Sequence, residues 1–135
     1  MLKAIIFDFD GVICESVGVK TEAFRGLFHS YPRYLPKILR YHEHNGGISR
    51  YKKFAYIYKH ILREKLTPVQ SRLLGKQFSL CVLEAVISAA YVKGAMAFLR
   101  KYYKRLALFV VSGTPQDEVR LIVKRRKLGK FFRGV

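Results

Sequence analysis

Lys3-Ala4-Ile5-Ile6-Phe7-Asp8-Phe9-Asp10-Gly11-Val12 is the stretch that decides how the chain folds. A short apolar run, Lys3 to Phe9, ends in Asp-Gly, the pattern of a buried parallel strand that stops at a turn. Strand alternation aims Asp8 and Asp10 to the same side, and a turn at Gly11 lets the Asp10 backbone carbonyl join them. Two carboxylates and a carbonyl at a strand end are half of a Mg²⁺ site. The plainer reading is a polar strand end with a turn-forming Asp-Gly.

A second strand-like run, Arg105-Leu-Ala-Leu-Phe-Val-Val111, lies far down the chain and ends in Ser112-Gly113-Thr114-Pro115. Thr114 suits an N-cap, Pro115 the first helical position and Asp117 the third, which predicts a helix from about Pro115 to Lys127. Strand, polar turn and helix make half of an α/β unit. Open α/β sheets bind ligands outside the carboxyl ends of their strands. Ser112, Gly113 and Thr114 therefore form a candidate anion site at the start of a helix, facing the Asp8–Asp10 edge. Taken alone, the same three residues also read as a turn and cap.

Between these runs, residues 16–90 read as helical. In Tyr51 to Leu62 the apolar positions 51, 54, 55, 58, 61 and 62 keep helical spacing, which predicts an inward face. Pro32, Pro36 and Asn45-Gly46-Gly47 divide the block, and Thr67-Pro68 opens a new helix with Thr as N-cap. Phe78 to Val92 reads as a buried helix, too short to span a bilayer. A short amphipathic helix, roughly Ala95 to Lys104, precedes the second strand. The expected architecture is α/β: a partial Rossmann-like core from residues 1–15 and 91–135, with an α-helical cap of residues 16–90 inserted between.

The 135 residues carry 26 Lys and Arg against 9 Asp and Glu, a net charge of +17, so the repulsion is either tolerated or neutralised by an anionic partner such as phosphate, nucleic acid or a membrane surface. Residues 1–15 reverse the balance, with one Lys against Asp8, Asp10 and Glu15. Carboxylates concentrated in a chain otherwise poor in them point to a bound divalent cation. Two cysteines, Cys14 and Cys81, make no disulfide or metal framework, and Asp8 and Asp10 interrupt the N-terminal apolar run too early for a signal peptide. The expectation is a cytoplasmic protein with no membrane partner. The basic run Lys124-Arg-Arg-Lys127 favours nucleic acid, but cations at a helix C-terminus complement its dipole. The aromatics mostly fall at core spacing, so a dedicated nucleic-acid function is the weaker reading.

Asp8-Phe-Asp10-Gly-Val together with Val110-Val-Ser112-Gly113-Thr114 resembles the first two motifs of the haloacid dehalogenase superfamily of phosphohydrolases. The resemblance implies that Asp8 is the nucleophile, forming an aspartyl-phosphate, and that Asp10 is general acid and base. It further implies that Ser112 holds the transferring phosphoryl and that Mg²⁺, on Asp8 and Asp10, neutralises charge between carboxylate and phosphate. Gly47-Ile48-Ser49-Arg50 resembles the specificity loop of helical caps in the phosphoglycolate phosphatase and phosphoglucomutase-like members. Arg50 and Lys53 are accordingly candidate contacts to a small phosphorylated metabolite, against the simpler reading of solvated surface charge.

The family also needs a later Lys and an acidic strand end. After Ser112 the only carboxylates are Asp117 and Glu118, placed here in the first turn of a helix. Phe131-Phe-Arg-Gly-Val135 reads as the start of a further strand, which suggests the front part of a longer protein. A phosphatase is thus expected, with a phosphomutase or a non-catalytic anion-binding chain as alternatives.

Overall fold

The computed structural model describes all residues, Met1 to Val135, as two compact units: Met1–Ser16 with Ala85–Val135, and Val17–Glu84.

In the first unit, β1 (Ala4–Phe7) and β2 (Ala107–Val110) pair in parallel, with Ala4 opposite Ala107 and Phe7 opposite Val110. Both strands are shorter than the apolar runs that announce them. β1 is not the buried strand its composition predicts: Ile6 is 68% exposed and Ala4 is exposed, because alternate residues of a two-stranded sheet have no layer over them. The core lies instead under Phe9, Leu99, Leu108 and Val110, and is completed by Val119, Ile122 and Val123 on one face of α6 (Gln116–Arg125). The tail extends the sheet on the far side of β2. Arg133 N–H donates to Leu108 O at 2.7 Å and Val110 N–H donates to Gly134 O at 3.0 Å, the ladder of a parallel neighbour.

α5 (Ala95–Tyr102) leads into β2, and α6 follows it. α6 begins one residue later than its sequence suggests. Pro115 precedes the first helical residue with φ −50° and ψ 141°, and Thr114 N–H donates to Ser112 Oγ at 3.1 Å, which closes the loop on Ser112. Its first turn holds Asp117 and Glu118 and its last holds Lys124 and Arg125, complementing the helix dipole at both ends.

The second unit is helical: α1 (Val17–Leu27), α2 (Leu35–His44), α3 (Arg50–Tyr56) running into a π-helical segment (Ile57–Leu62), and most of α4 (Pro68–Ser88). Phe24 organises its core, stacked on His42 at 4.1 Å, with Phe54 at 5.7 Å and Phe78 edge-on at 5.3 Å. α4 starts as read: Thr67 Oγ1 accepts the Gln70 N–H at 3.2 Å and Gln70 Oε1 accepts the Thr67 N–H at 2.9 Å, a reciprocal capping box. Its later part is one-sided, not buried throughout, with Phe78, Val82 and Val86 inward and Leu80 74% exposed.

The inward face of α3 also differs from the apolar pattern. Tyr51 is 40% exposed and Ala55 is exposed, whereas Arg50, Lys53 and Ile57 are buried beside Phe54, Tyr58, Ile61 and Leu62. Hydrophobic spacing counts Arg50 and Lys53 as outward; the fold rotates them in because each finds polar partners there. The wider turn of the π segment then keeps both Ile61 and Leu62 inside. No helix of the chain is long and apolar enough to cross a membrane.

Candidate active site

The strand register brings the two motifs together. Phe7 stands opposite Val110 and Val111 N–H donates to Phe7 O at 2.8 Å, so Asp8 and Ser112 leave neighbouring parallel strands at the same edge. Adjacent strands lie about 4.8 Å apart.

Past β1 the chain closes a tight loop. Phe9, 1% exposed, anchors it, and its carbonyl accepts the N–H groups of Ile13 at 2.9 Å and Cys14 at 3.2 Å. Gly11, at φ +74°, occupies the left-handed region that a side chain would resist, and its N–H donates to Cys14 O at 2.7 Å. With Phe9 turned inward, alternation sets Asp8 and Asp10 away from the core. Asp8 is exposed, with Oδ1 accepting the Phe9 N–H at 2.6 Å; Asp10 is half-buried, with Oδ1 accepting the Ser16 hydroxyl at 2.6 Å.

Ser16 is a residue the sequence reading missed. It is wholly buried, and its hydroxyl spans Asp10 Oδ1 and the Cys14 carbonyl. Its only sequence signal is a small hydroxyl residue six positions after an Asp-Gly turn residue. Arg126 is a second: its Nη1 donates to the carbonyls of Val86 at 2.9 Å and Ile87 at 2.5 Å, and its guanidinium lies 4.2 Å from the Tyr91 ring centroid. In the sequence it is one cation in a run of four. Cys14, completely buried, has its thiol pushed up to about 11, first by burial, then by Asp10, with Arg126 opposing. It is a packed residue, not a thiolate.

Ser112, Gly113 and Thr114 are half-buried at the edge beside Asp8. The Thr114 amide is turned onto Ser112 Oγ, which leaves the Ser112 hydroxyl, the Gly113 amide and the first turn of α6 as donors toward an anion, although Asp117 and Glu118 sit in that same turn. The donor set for a cation is hard oxygen throughout. No group of three or more His, Cys, Asp or Glu side chains is placed to enclose a metal. Mg²⁺, however, takes one or two carboxylates and fills its octahedron with water and substrate phosphate, so the Asp8–Asp10 pair fits it.

Arg50 and Lys53 lie inside the helical unit, and neither is a solvated surface charge. Arg50, 5% exposed, donates from Nη1 to Ser79 Oγ at 2.7 Å and lies 4.4 Å from the Phe78 ring centroid. Lys53, 2% exposed, donates from Nζ to the His42 carbonyl at 3.1 Å and stands 3.0 Å from His42 Nδ1. His42 is held down at about 4, first by burial, then by the charges of Lys53 and Lys20.

No family profile and no curated protein matches the sequence. Solved structures do. The chain resembles a hydrolase from Pseudomonas syringae with a TM-score of 0.77 at 19% identity, over 98% of this chain and 60% of that one. It resembles β-phosphoglucomutase of Clostridium difficile with a TM-score of 0.75 at 15% identity, over 99% of this chain and 60% of that one. A third similar structure is YfnB of Bacillus subtilis, a proposed HAD hydrolase bound to magnesium, with a TM-score of 0.61 at 16% identity over 98% of this chain and 63% of that one. The fold is therefore that of the haloacid dehalogenase-type hydrolases over part of their extent. The chain spans about 60% of the length of these structures.

Proposed function

We propose that the chain carries the nucleophile end of a Mg²⁺-dependent phosphohydrolase acting on a small phosphorylated metabolite, with the unit of Met1–Ser16 and Ala85–Val135 as catalytic core and Val17–Glu84 as cap. The observation that carries this reading is the placement of an exposed Asp8 one strand away from the Ser112–Thr114 loop, with Asp10 fixed beside it by Ser16. Asp8, which no layer of side chains covers, attacks phosphorus and forms an aspartyl-phosphate. Asp10 hands a proton to the leaving oxygen and later takes one from the attacking water. The Ser112 hydroxyl, set in place by the Thr114 N–H, and the amide of Gly113 hold the phosphoryl oxygens. Bound at Asp8 and Asp10, Mg²⁺ would supply charge neutralisation between two anions that otherwise repel.

Ser16 is a positioning residue in this scheme. With one Asp10 oxygen held by its hydroxyl, the carboxylate keeps one rotamer through both proton transfers. Arg50 and Lys53, turned inside, shape the helical unit in this reading and act on substrate only if that unit rearranges.

The test is phosphate release from p-nitrophenyl phosphate and acetyl phosphate, with Mg²⁺ and with EDTA. Asp8→Asn is expected to lower turnover by at least about a thousandfold. Ser16→Ala is expected to shift the pH profile of the rate while leaving the far-ultraviolet dichroism unchanged. Turnover retained in Asp8→Asn refutes the assignment. A chain that binds inorganic phosphate without turnover supports the non-catalytic alternative, which is favoured by the confinement of the later carboxylates to the first turn of α6. The similarity to β-phosphoglucomutase keeps phosphomutase as the second catalytic reading; phosphoryl return to a sugar phosphate in preference to water would establish it.

A further inference from the structure

In the unit of Met1–Ser16 and Ala85–Val135 four carboxylates gather at one end of the sheet and a group of cations at the other. Asp8, Asp10, Asp117 and Glu118 stand at the edge where the strands finish. The opposite edge is built from the ends of three elements. α5 delivers its C-terminus to the start of β2, where Ala107 N–H donates to Lys3 O at 3.0 Å. α6 returns antiparallel to β2, and the tail after it rejoins the sheet at Leu108 through the Arg133 N–H. The 3₁₀ turn Gly129–Phe131 is tied to the end of α5 by Tyr103, whose ring meets Phe131 edge-on at 5.3 Å.

We propose that this edge is a docking surface for the phosphate backbone of nucleic acid. Arg100, Lys101 and Lys104 from the end of α5 join Lys124 and Lys127 from the end of α6 and Lys130 from the 3₁₀ turn, all of them exposed. The only carboxylates in residues 91–135, Asp117 and Glu118, are at the other end of α6, so none stands among these cations in sequence or along the helix. Three ammonium groups also lie near rings: Lys101 is 5.3 Å from Tyr102, Lys104 is 5.8 Å from Tyr103, and Lys130 is 5.2 Å from Phe131. Those contacts restrict the lysine rotamers, which lowers the entropy lost when a phosphate is bound.

Aromatic residues that the sequence pattern assigns to the core thus also fix the cations. The structure adds what the run Lys124–Lys127 alone lacks: contributions from two further elements at the same edge. No large apolar side chain of α5 or of residues 122–133 is among the exposed ones, so the surface offers charge without the apolar insertion a lipid interface uses. Contacts to phosphate carry no base readout, and binding through them is expected to be independent of sequence and strongly salt-dependent.

The experiment is fluorescence anisotropy of a fluorescein-labelled single-stranded RNA of about 20 nucleotides across a salt series. Wild type is compared with the triple variant Lys104→Gln, Lys124→Gln, Lys130→Gln, and with a control triple of equal net charge in the helical unit, Lys37→Gln, Lys59→Gln, Lys65→Gln. Circular dichroism verifies that both variants are folded. Loss of three single-strand phosphate contacts is expected to flatten the slope of log affinity against log salt by about 2, with affinity falling at least about tenfold, while the control stays near wild type. Equal flattening by both triples would assign binding to diffuse charge and overturn the proposal. So would absence of RNA binding by wild type near 0.1 M salt, or capture by phosphatidylserine vesicles through the same three lysines without RNA binding.

Discussion

His42 offers the sharpest test of the helical core, because a single proton distinguishes its folded and unfolded environments. Its ring is 5% exposed, stacked on Phe24 at 4.1 Å, with the Lys53 ammonium 3.0 Å from Nδ1. Burial, Lys53 and Lys20 together lower it from 6.5 to about 4. The folded state therefore keeps the imidazole neutral while the unfolded chain takes up a proton below pH 6.5. The contribution to stability is fully present above about pH 6.5 and is lost as pH falls toward 4. A difference of about 2.5 pK units corresponds to about 3 kcal/mol over that window. Urea unfolding of wild type and His42→Gln at pH 7 and at pH 4 isolates this group, since Gln keeps an acceptor for Lys53 and does not titrate. The stability difference between the two proteins is expected to move by about 3 kcal/mol in favour of the variant on acidification. Ring-proton resonances of His42 should start to shift only below about pH 5. A folded-state midpoint near 6.5, or a wild-type–variant difference that is the same at both pH values, would refute the buried pairing.

Three other outcomes follow from contacts described above. Arg126→Met keeps the apolar stem but strips two charge-assisted hydrogen bonds and the Tyr91 contact, and should cost about 2 kcal/mol in equilibrium denaturation; an unchanged midpoint would contradict the bonds to Val86 and Ile87. Cys81 is exposed and Cys14 buried with its thiol at about 11, so a disulfide reagent at pH 8 should titrate one thiol in the native protein and two in denaturant. Thr67→Ala should cost about 1 kcal/mol through loss of the α4 capping box and Thr67→Ser much less; equal losses in the two variants would point away from the cap.

What the sequence made legible follows from which forces are local. Asp-Gly at the end of an apolar run, Thr-Pro before α4 and the polar break after Val111 are short-range signals, and each marks an element end to within a residue or two. Parallel pairing of the two runs was legible through the architecture their ends imply, and so in part was the strand character of the tail, which meets β2 at Arg133 and Gly134 while Phe131 belongs to a 3₁₀ turn. The inward face of α3 was not. Arg50 and Lys53 are buried because Ser79, from α4, and His42, from α2, meet them, and no periodicity in residues 50–62 encodes partners that far away. Exposure of Ile6 was hidden for a related reason, since an apolar residue in a strand reads as buried whether or not anything covers it. At the candidate site the carboxylates and the Ser112 loop could be read from motif and spacing, whereas Ser16 could not, because its role exists only once the loop after β1 has closed.

The pairing of β1 with β2 joins Ala4 to Ala107, segments about a hundred residues apart, whereas the partners of Phe24 in the helical core, His42, Phe54 and Phe78, are nearer in sequence. Closing so long a loop carries an entropic cost that only the finished sheet offsets, so the site edge is a late product of folding. In pulse-labelled hydrogen exchange, amides of α1 to α3 should gain protection before those of Val111 and Gly11, whose bonds to Phe7 and Cys14 define the edge; simultaneous protection would contradict this order. Every nascent or misfolded copy would then display a formed helical block together with a loose, acidic N-terminal strand on a strongly basic chain. The carboxylates of Asp8 and Asp10 would meet the cations of their own polypeptide before the strand that carries them is paired.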